Sequence, residues 1–369
     1  MRLRDLGITV GQLPPGPLDA ITDVEGVRVG HTTLVHGSGP LVVGQGPVRT
    51  GVTVVVPHEA IASEPLFAGC HRLNGNGELT GLEWIRESGM LTTPIAITNT
   101  HSVGVVRDAL VASDVARHPR LGSYWSLPVV GETFDGTLND INGMHVRPEH
   151  VQEALAGAAD GPVAEGNVGG GTGMICHEFK GGVGSASRRL PETDGGWTVG
   201  ALVQANHGTR SRLMVDGVPV GREIGYDSVP SPFETPRDAG SIIVVLATDA
   251  PLLPHQCERL AQRAGLGIAR AGGSGAHSSG DLFVCFSTAN RGRLHSYKEE
   301  APGVTVAVDM LPDTAISPLF WGAIEATEEA IVNALCAAET MTGRDGITAH
   351  ALPHDVLREV MARYGRPPR

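Results

Sequence analysis

The chain has 369 residues, of which 41% are hydrophobic and 18% charged, and this composition is ordinary for a globular protein with a large core. Its formal net charge is −12 without a long basic cluster, which argues against a nucleic-acid partner because phosphate binding needs a positive surface. The five scattered cysteines include no CxxC pair, so we expect buried, reduced thiols rather than disulfides or a structural zinc site. An N-terminus without an apolar leader, and no apolar run long enough to span a bilayer, predict a soluble cytoplasmic protein with no membrane partner.

The first 205 residues are predicted to alternate between short strands and amphipathic helices. Alternating or apolar runs bounded by Gly and Pro predict a strand pair in 24–34 and strands at 52–56, 94–98 and 197–205. Helical spacing of apolar residues predicts helices over 102–118 and 148–159. The glycine-rich stretch 166–173 predicts a tight turn, and the Pro-rich, polar segment 209–239 predicts a flexible loop or linker.

The sequence changes character after residue 240. The continuous apolar run 241–247 is typical of a strand buried on both faces. It is followed by a predicted helix at 254–269 and predicted strands at 282–286 and 303–309. A last helix is predicted to begin at Ser317 and to close at Gly343. Strands and helices mixed in this way indicate an α/β or α+β fold in which helices cover sheets.

The step from Gly240 to Ser241 places a hydroxyl at the first position of the buried strand. A Ser after Gly, at the end of a turn-rich segment, suits attack on its own preceding carbonyl. Such a cleavage would free an α-amine with an ordinary pKa of about 7.7–8.0, which can act as a general base near neutral pH. On spacing alone, however, a strand that merely begins after Gly-Ser is the simpler interpretation.

Other polar residues offer weaker signals. Ser279 and Asp281 lie in a small-residue turn before a buried strand, where hydroxyl and carboxylate could relay protons or the carboxylate could simply cap the turn. His277 is adjacent to them, but three residues this close in sequence rarely face one another as a Ser-His-Asp triad. Asn206 at a strand end could donate to an oxyanion or form a turn. Glu132 could bind an ammonium group or be a solvated loop acid.

Nucleotide and metal binding receive little support from the sequence. The stretch GGGTG at 169–173 lacks the Lys-Ser/Thr ending of a phosphate-binding loop and has imperfect dinucleotide-binding spacing. No HExxH motif occurs, and the 15 histidines are dispersed.

Several long segments, in order, resemble the L-aminopeptidase D-amidase/D-esterase and β-peptidyl aminopeptidase family almost from end to end. They are ITDVEGVRVGHTT, the strand after Arg49-Thr50-Gly51, VVGETFDGTLNDING, EGNVGGGTG, LVQANHG, AGSIIVVLATDAPLLPHQ, SSGD and FSTAN. The resemblance implies a single domain that cleaves itself into residues 1–240 and 241–369, which stay together. It also implies a four-layer αββα sandwich, similar in its layers to N-terminal-nucleophile hydrolases but differently connected.

The resemblance further implies an aminopeptidase or amidase that releases an N-terminal residue from short peptides, amides or esters. No metal or cofactor is expected, and the α/β heterodimers are expected to form a homo-oligomer. The resemblance does not say whether L, D or β residues are released. An acyltransferase of the ornithine acetyltransferase type is one alternative, although that group uses Thr where this chain has Ser241. A small-molecule-binding relative without activity is another.

The resemblance assigns a role to each candidate residue. Ser241 matches the nucleophile, and Asn206 matches the amide that stabilises the oxyanion. Ser279 and Asp281 match a serine and an acid, Glu in some members, that support the nucleophile and its amine. The two substrate-binding candidates are Glu132, which matches the acid that holds the substrate ammonium, and Phe134, which stands where some members carry Tyr.

Overall fold

The computed structural model describes residues 1–118, 123–235, 240–295 and 305–368. Its strands are β1 (Arg28–His36), β2 (Val48–Val56), β3 (Leu66–Gly75), β4 (Met90–Leu91), β5 (Ile95–Asn99), β6 (Val129–Thr133), β7 (Ile175–Cys176), β8 (Phe179–Lys180), β9 (Gly182–Arg189), β10 (Thr198–Asn206), β11 (Ser241–Thr248), β12 (Gly280–Ser287), β13 (Met341–Thr342) and β14 (Thr348–Ala349). Its α-helices are α1 (Leu82–Ser88), α2 (Val103–Arg117), α3 (Pro148–Ala156), α4 (Val220–Glu223), α5 (Pro254–Arg270), α6 (Ser317–Ala337) and α7 (His354–Arg363). Among these helices, none combines the length and the apolarity that crossing a bilayer requires.

The first sheet has the strand order β1-β2-β5-β6, with β5 and β6 parallel and the other neighbours antiparallel. Helices α2 and α3 pack on one face of this sheet. The two-residue period of a strand is visible in β2, where Val52 and Val54 join the core beneath these helices and Val55 joins the core on the opposite face.

The second sheet has the strand order β4-β3-β12-β11-β10-β9, in which only the β11–β12 pair is parallel. Helices α5 and α6 pack against its outer face. Within β11, Ile242 and Val244 belong to the core shared with these helices, whereas Ile243 and Val245 belong to the core between the sheets. Both faces of β11 are therefore buried, which explains its unbroken apolar sequence.

The two sheets pack face to face through that middle core. Ile97 and Val129 of the first sheet lie in the same buried cluster as Leu202 and Ile243 of the second. Because each sheet also carries helices on its other face, the layers run helix, sheet, sheet, helix. The expected four-layer αββα sandwich is thus confirmed.

Most of the predicted elements are confirmed, with four differences in the described residues. The segment 24–34 forms one strand, β1, rather than a strand pair. Residues 305–309 are irregular rather than a strand, and residues 303 and 304 lie outside the described ranges. Helix α6 ends at Ala337, before the predicted stop at Gly343. The described part of 209–239 is more ordered than the predicted linker, because it contains α4 and buries Val215 and Val220 in the core beneath α5 and α6.

Candidate active site

The first two site candidates lie directly opposite each other on neighbouring strands. Ser241 begins β11 and Asn206 ends β10, and the antiparallel register makes these two residues Cα partners. Both strands are buried along their length, and Asn206 and Ser241 line one cavity at the end where they meet. Sheet register therefore brings together two residues that are far apart in sequence.

The Ser241 hydroxyl is held by the turn before β12. Because β12 runs parallel to β11, with Ile242 paired to Asp281, that turn lies beside the beginning of β11. The Gly280 backbone N–H donates to Ser241 Oγ at 3.1 Å. The hydroxyl is thereby fixed at the start of β11 with a backbone donor beside it.

The Asn206 amide has a defined orientation. Its Oδ1 accepts a hydrogen bond from the Ile175 N–H at 2.8 Å, and its Nδ2 donates to the Phe134 carbonyl at 3.0 Å. A carboxamide nitrogen carries two hydrogens, so the second N–H of Nδ2 is available to a ligand. This is the geometry that an oxyanion-stabilising amide needs, since its donor is oriented before any substrate binds.

Ser279 and Asp281 form a buried hydroxyl–carboxylate pair at the start of β12. Ser279 Oγ donates to Asp281 Oδ1 at 2.5 Å. Burial raises the pKa of Asp281, while the bonds from Ser279 and from the Ile242 backbone N–H oppose that rise. The pair lies next to the strand of Ser241. Its side chains line a small cavity, which is a different cavity from the one that Ser241 lines.

The cavity beside Ser241 has a volume of about 550 Å³, which suits a short peptide or amide. It brings together the candidates Glu132, Phe134, Asn206, Gly240 and Ser241. No Lys or Arg side chain belongs to its described lining, so its charge comes from carboxylates.

Glu132 is the buried acid of this cavity. It lies on β6, and its carboxylate accepts hydrogen bonds from the Glu78 backbone N–H at 3.0 Å and from the Thr100 hydroxyl. Burial raises the pKa of Glu132, and these two bonds oppose the rise by favouring the charged form. A carboxylate that faces a cavity whose described lining holds no Lys or Arg side chain is suited to a charged ammonium group.

Phe134 lines the same cavity with a half-exposed ring. Its backbone carbonyl holds the Asn206 amide, a contact that does not depend on the side chain. Phe134 thus contributes an apolar surface to the cavity through its ring, and its backbone carbonyl orients the Asn206 amide.

Gly240 occupies a conformation and a space that a larger residue would not fit. Its φ is +122°, and a Cβ added there would lie 1.9 Å from the Asn206 carbonyl oxygen. Glycine is required for this close approach of the chain to the end of β10.

One group of described residues has side chains arranged closely enough to hold a metal ion. Cys176, His177 and His207 are buried, and their potential ligand atoms lie within 4.8 Å of one another. Burial raises the pKa of the Cys176 thiol to about 12, which disfavours the thiolate that metal binding needs. The sequence-based expectation of a reaction without metal or cofactor stays a prediction.

Sequence reasoning missed the groups that orient the candidates. The N–H donors of Ile175, Gly280 and Glu78 are backbone groups, and no residue type identifies them. Thr100, at the end of β5, carries a suitable hydroxyl, but its proximity to Glu132 follows only from the parallel pairing of β5 and β6.

The comparisons with known proteins agree with this fold. The family model described as Peptidase family S58 matches residues 19–349. The β-peptidyl aminopeptidase BapA of Sphingosinicella microcystinivorans is 49% identical over 378 residues, covering 99% of this chain and 93% of the relative.

Two solved structures are also similar along the full chain. A β-aminopeptidase from a Burkholderia species superimposes with a TM-score of 0.92 at 56% identity, and 99% of each chain is covered. The L-aminopeptidase D-Ala-esterase/amidase of Ochrobactrum anthropi, described as a new variant of the Ntn hydrolase fold, gives a TM-score of 0.90 at 45% identity, again with 99% of each chain covered. The family match and these relatives establish that the chain belongs to peptidase family S58.

Proposed function

We propose that this chain is a self-cleaving N-terminal-serine aminopeptidase or amidase that acts on short substrates with a free amino group. The observation that carries the proposal is the shared cavity of Ser241, Asn206 and Glu132, which combines a nucleophile, an oxyanion donor and an ammonium partner. Family membership supports hydrolysis of a peptide or amide bond.

The proposed maturation breaks the bond between Gly240 and Ser241. The Ser241 hydroxyl attacks the Gly240 carbonyl carbon, and the C–N bond to Ser241 breaks as its nitrogen takes up the hydroxyl proton. Water then hydrolyses the resulting ester and restores the hydroxyl. Residue 240 then becomes a C-terminus, and Ser241 gains a free α-amine. The steric position of Gly240 supports this assignment, because only glycine fits beside the Asn206 carbonyl.

In the proposed catalytic cycle, the α-amine of Ser241 accepts the proton of its own hydroxyl as Oγ attacks the substrate carbonyl. The free N–H of Asn206 Nδ2 stabilises the negative oxygen of the tetrahedral intermediate. The amine transfers the proton to the leaving nitrogen, an acyl-enzyme remains on Ser241, and water hydrolyses it by the same route. Glu132 binds the substrate ammonium, while Ser279 and Asp281 support the nucleophile and its amine.

The substrate is proposed to be a short peptide, amide or ester. Two of the relatives are named as β-peptidyl or β-aminopeptidases, and a third as an L-aminopeptidase D-Ala-esterase/amidase. We therefore propose amides of β-, L- and D-residues as the first substrates to compare. The ornithine-acetyltransferase-type and inactive-relative alternatives find no support among these relatives.

We also propose a homo-oligomer of α/β heterodimers in a reducing, cytoplasmic compartment. The compartment is supported by the five cysteines, which are all buried and unpaired. The oligomer rests on the family resemblance, and a native mass measurement would give its subunit number.

Replacing Ser241 tests the central assignment. Ser241→Ala removes the hydroxyl, so we expect a single uncleaved chain without measurable amide hydrolysis. Thr248→Val is the matched control, because it removes a hydroxyl from the opposite end of the same strand, where Thr248 bonds to the Thr198 carbonyl. This control should still yield two chains. Intact-mass spectrometry reads both results, and a cleaved Ser241→Ala protein would refute the mechanism.

A further inference from the structure

A second cavity, of about 10 Å³, adjoins the start of β12. Its polar wall includes His207, Ser279 and Asp281. A volume of about 10–15 Å³ is what one water molecule needs, provided that it finds two to four polar partners. The cavity thus has the size and the lining of a single-water site.

Two buried polar atoms face this cavity without a protein partner in the described structure. They are Nε2 of His207 and Oδ2 of Asp281. A Cβ added to Gly273 would lie 3.2 Å from His207 Nε2, and one added to Gly275 would lie 3.6 Å from Asp281 Oδ2, so both atoms border the same glycine-rich turn. Leaving two such groups unsatisfied would cost stability, which a bridging water avoids.

The second ring nitrogen of His207, Nδ1, has a neighbour on the side away from Nε2. Cys176 Sγ lies 3.9 Å from His207 Nδ1. We assign the tautomer in which the Cys176 thiol donates to Nδ1 and the ring hydrogen lies on Nε2.

We propose that one buried water accepts a hydrogen bond from His207 Nε2 and donates one to Asp281 Oδ2, making His207 a positioning residue for the Asp281 carboxylate. Asp281 Oδ1 is already held by Ser279, so the water completes the orientation of the carboxylate. The catalytic part of this inference rests on the function proposed above, whereas the water site does not.

The bridge has a measurable electrostatic consequence. A hydrogen bond to the charged carboxylate favours ionisation, so losing the bridge raises the pKa of Asp281. Among the described residues, the titratable groups that face His207 are Cys176 and His177, whose ring centroid lies 5.3 Å from that of His207. Asp281 is bounded by Ser279 and the Ile242 backbone N–H.

A crystal structure of the cleaved enzyme at high resolution tests the site itself. We expect one water within about 2.6–3.2 Å of both His207 Nε2 and Asp281 Oδ2. A cavity without density, or an anomalous peak of a metal ion bound to His207, would overturn the bridge. This outcome does not depend on which reaction the enzyme catalyses.

Kinetics of His207 variants test the positioning role. In His207→Leu we expect kcat to fall about two- to tenfold with little change in KM, and the acid limb of the kcat–pH profile to move up by about 0.3–1 unit. His207→Gln places an amide nitrogen near the position of Nε2. It should restore much of kcat and of the wild-type position of the acid limb. His58→Leu is the matched control, since His58 is a buried histidine bonded instead to the Glu64 carbonyl.

Thermal unfolding separates positioning from simple destabilisation. His58→Leu should lower the unfolding temperature without moving the acid limb. If a folded His207→Leu enzyme keeps the wild-type pH profile, or if His58→Leu shifts the profile equally, the positioning role is wrong. If the leucine variant does not fold, a His207→Gln enzyme without the bridging water but with a wild-type profile refutes it.

Discussion

At the scale of single residues, the ammonium-binding role proposed for Glu132 predicts which substrates the enzyme accepts. Replacing it with Gln keeps the shape but removes the charge, so the substrate ammonium loses a charge-assisted bond worth about 1.5–3 kcal/mol. We expect kcat/KM for free-amine amides to fall roughly ten- to a hundredfold, since about 1.4 kcal/mol corresponds to a factor of ten. The same substrates with acetylated amines should be much less affected by Glu132→Gln, and equal losses on both would contradict the ammonium role.

The pKa of Glu132 predicts how KM for free-amine substrates changes with pH. Burial raises the pKa of Glu132, so acidification protonates its carboxylate at a higher pH than an exposed glutamate. KM for free-amine substrates should therefore rise as the pH falls through that pKa. The Glu132→Gln enzyme, which has no carboxylate to titrate, should lack this acid-side increase in KM.

The site residues differ in how well the sequence could predict them. Ser241, Asn206 and Glu132 carry chemically distinctive side chains within segments that resemble the family, and the structure brings all three to one cavity. The amide of Asn206, however, is oriented by Ile175 and Phe134 through backbone atoms. Backbone donors and acceptors have the same chemistry in every residue type, so only the folded chain identifies them.

At the scale of elements, the connection into β11 controls the proposed cleavage. Gly240→Ala adds a Cβ at a positive φ and within 1.9 Å of the Asn206 carbonyl oxygen, so the scissile peptide must shift. Backbone strain of about 1–3 kcal/mol per residue predicts self-cleavage slowed by about tenfold or more. Gly217→Ala is the matched control, because Gly217 has a φ of +77° with open space around it.

Intact-mass spectrometry over time measures the cleaved fraction of both glycine variants. The Gly217→Ala chain should mature at close to the wild-type rate, which separates the cost of an alanine at positive φ from the crowding at Asn206. A Gly240→Ala chain that matures as fast as Gly217→Ala would show that the close approach to Asn206 does not matter for cleavage.

Strand β9 shows why some elements escape prediction. Its sequence, GVGSASRR, lacks an apolar alternation, yet all but its last residue are buried. Arg188 is buried because helix α6 supplies partners to it, with Glu325 at 3.2 Å and Glu329 at 2.5 Å from the guanidinium. A polar strand of this kind is stabilised by charges from a distant helix, so its own residues carry no strand pattern. In strand β11 the buried residues 242–247 are all apolar, so its own sequence carries the pattern of a buried strand.

At the scale of the whole molecule, the proposed cleavage would cut the chain without dividing its core. Residues 1–240 supply β3 and β10, and residues 241–369 supply β11 and β12, in the sheet order β3-β12-β11-β10. Each proposed product therefore pairs with the other along both outer edges of the β12–β11 pair. The middle core is likewise built from both, since Ile243 packs in the same cluster as Ile97 and Leu202.

This interleaving predicts that the two chains of the mature protein unfold together. Separating them would expose the edges of β11 and β12 and the core on both faces of the sheet, so neither product has a folded state of its own. We expect the chains to co-elute in native gel filtration and to show one cooperative thermal transition. The uncleaved Ser241→Ala protein is the reference for an intact chain and should unfold in a single transition of similar width. Release of one chain before the main transition, detected by cross-linking during heating, would contradict a shared core.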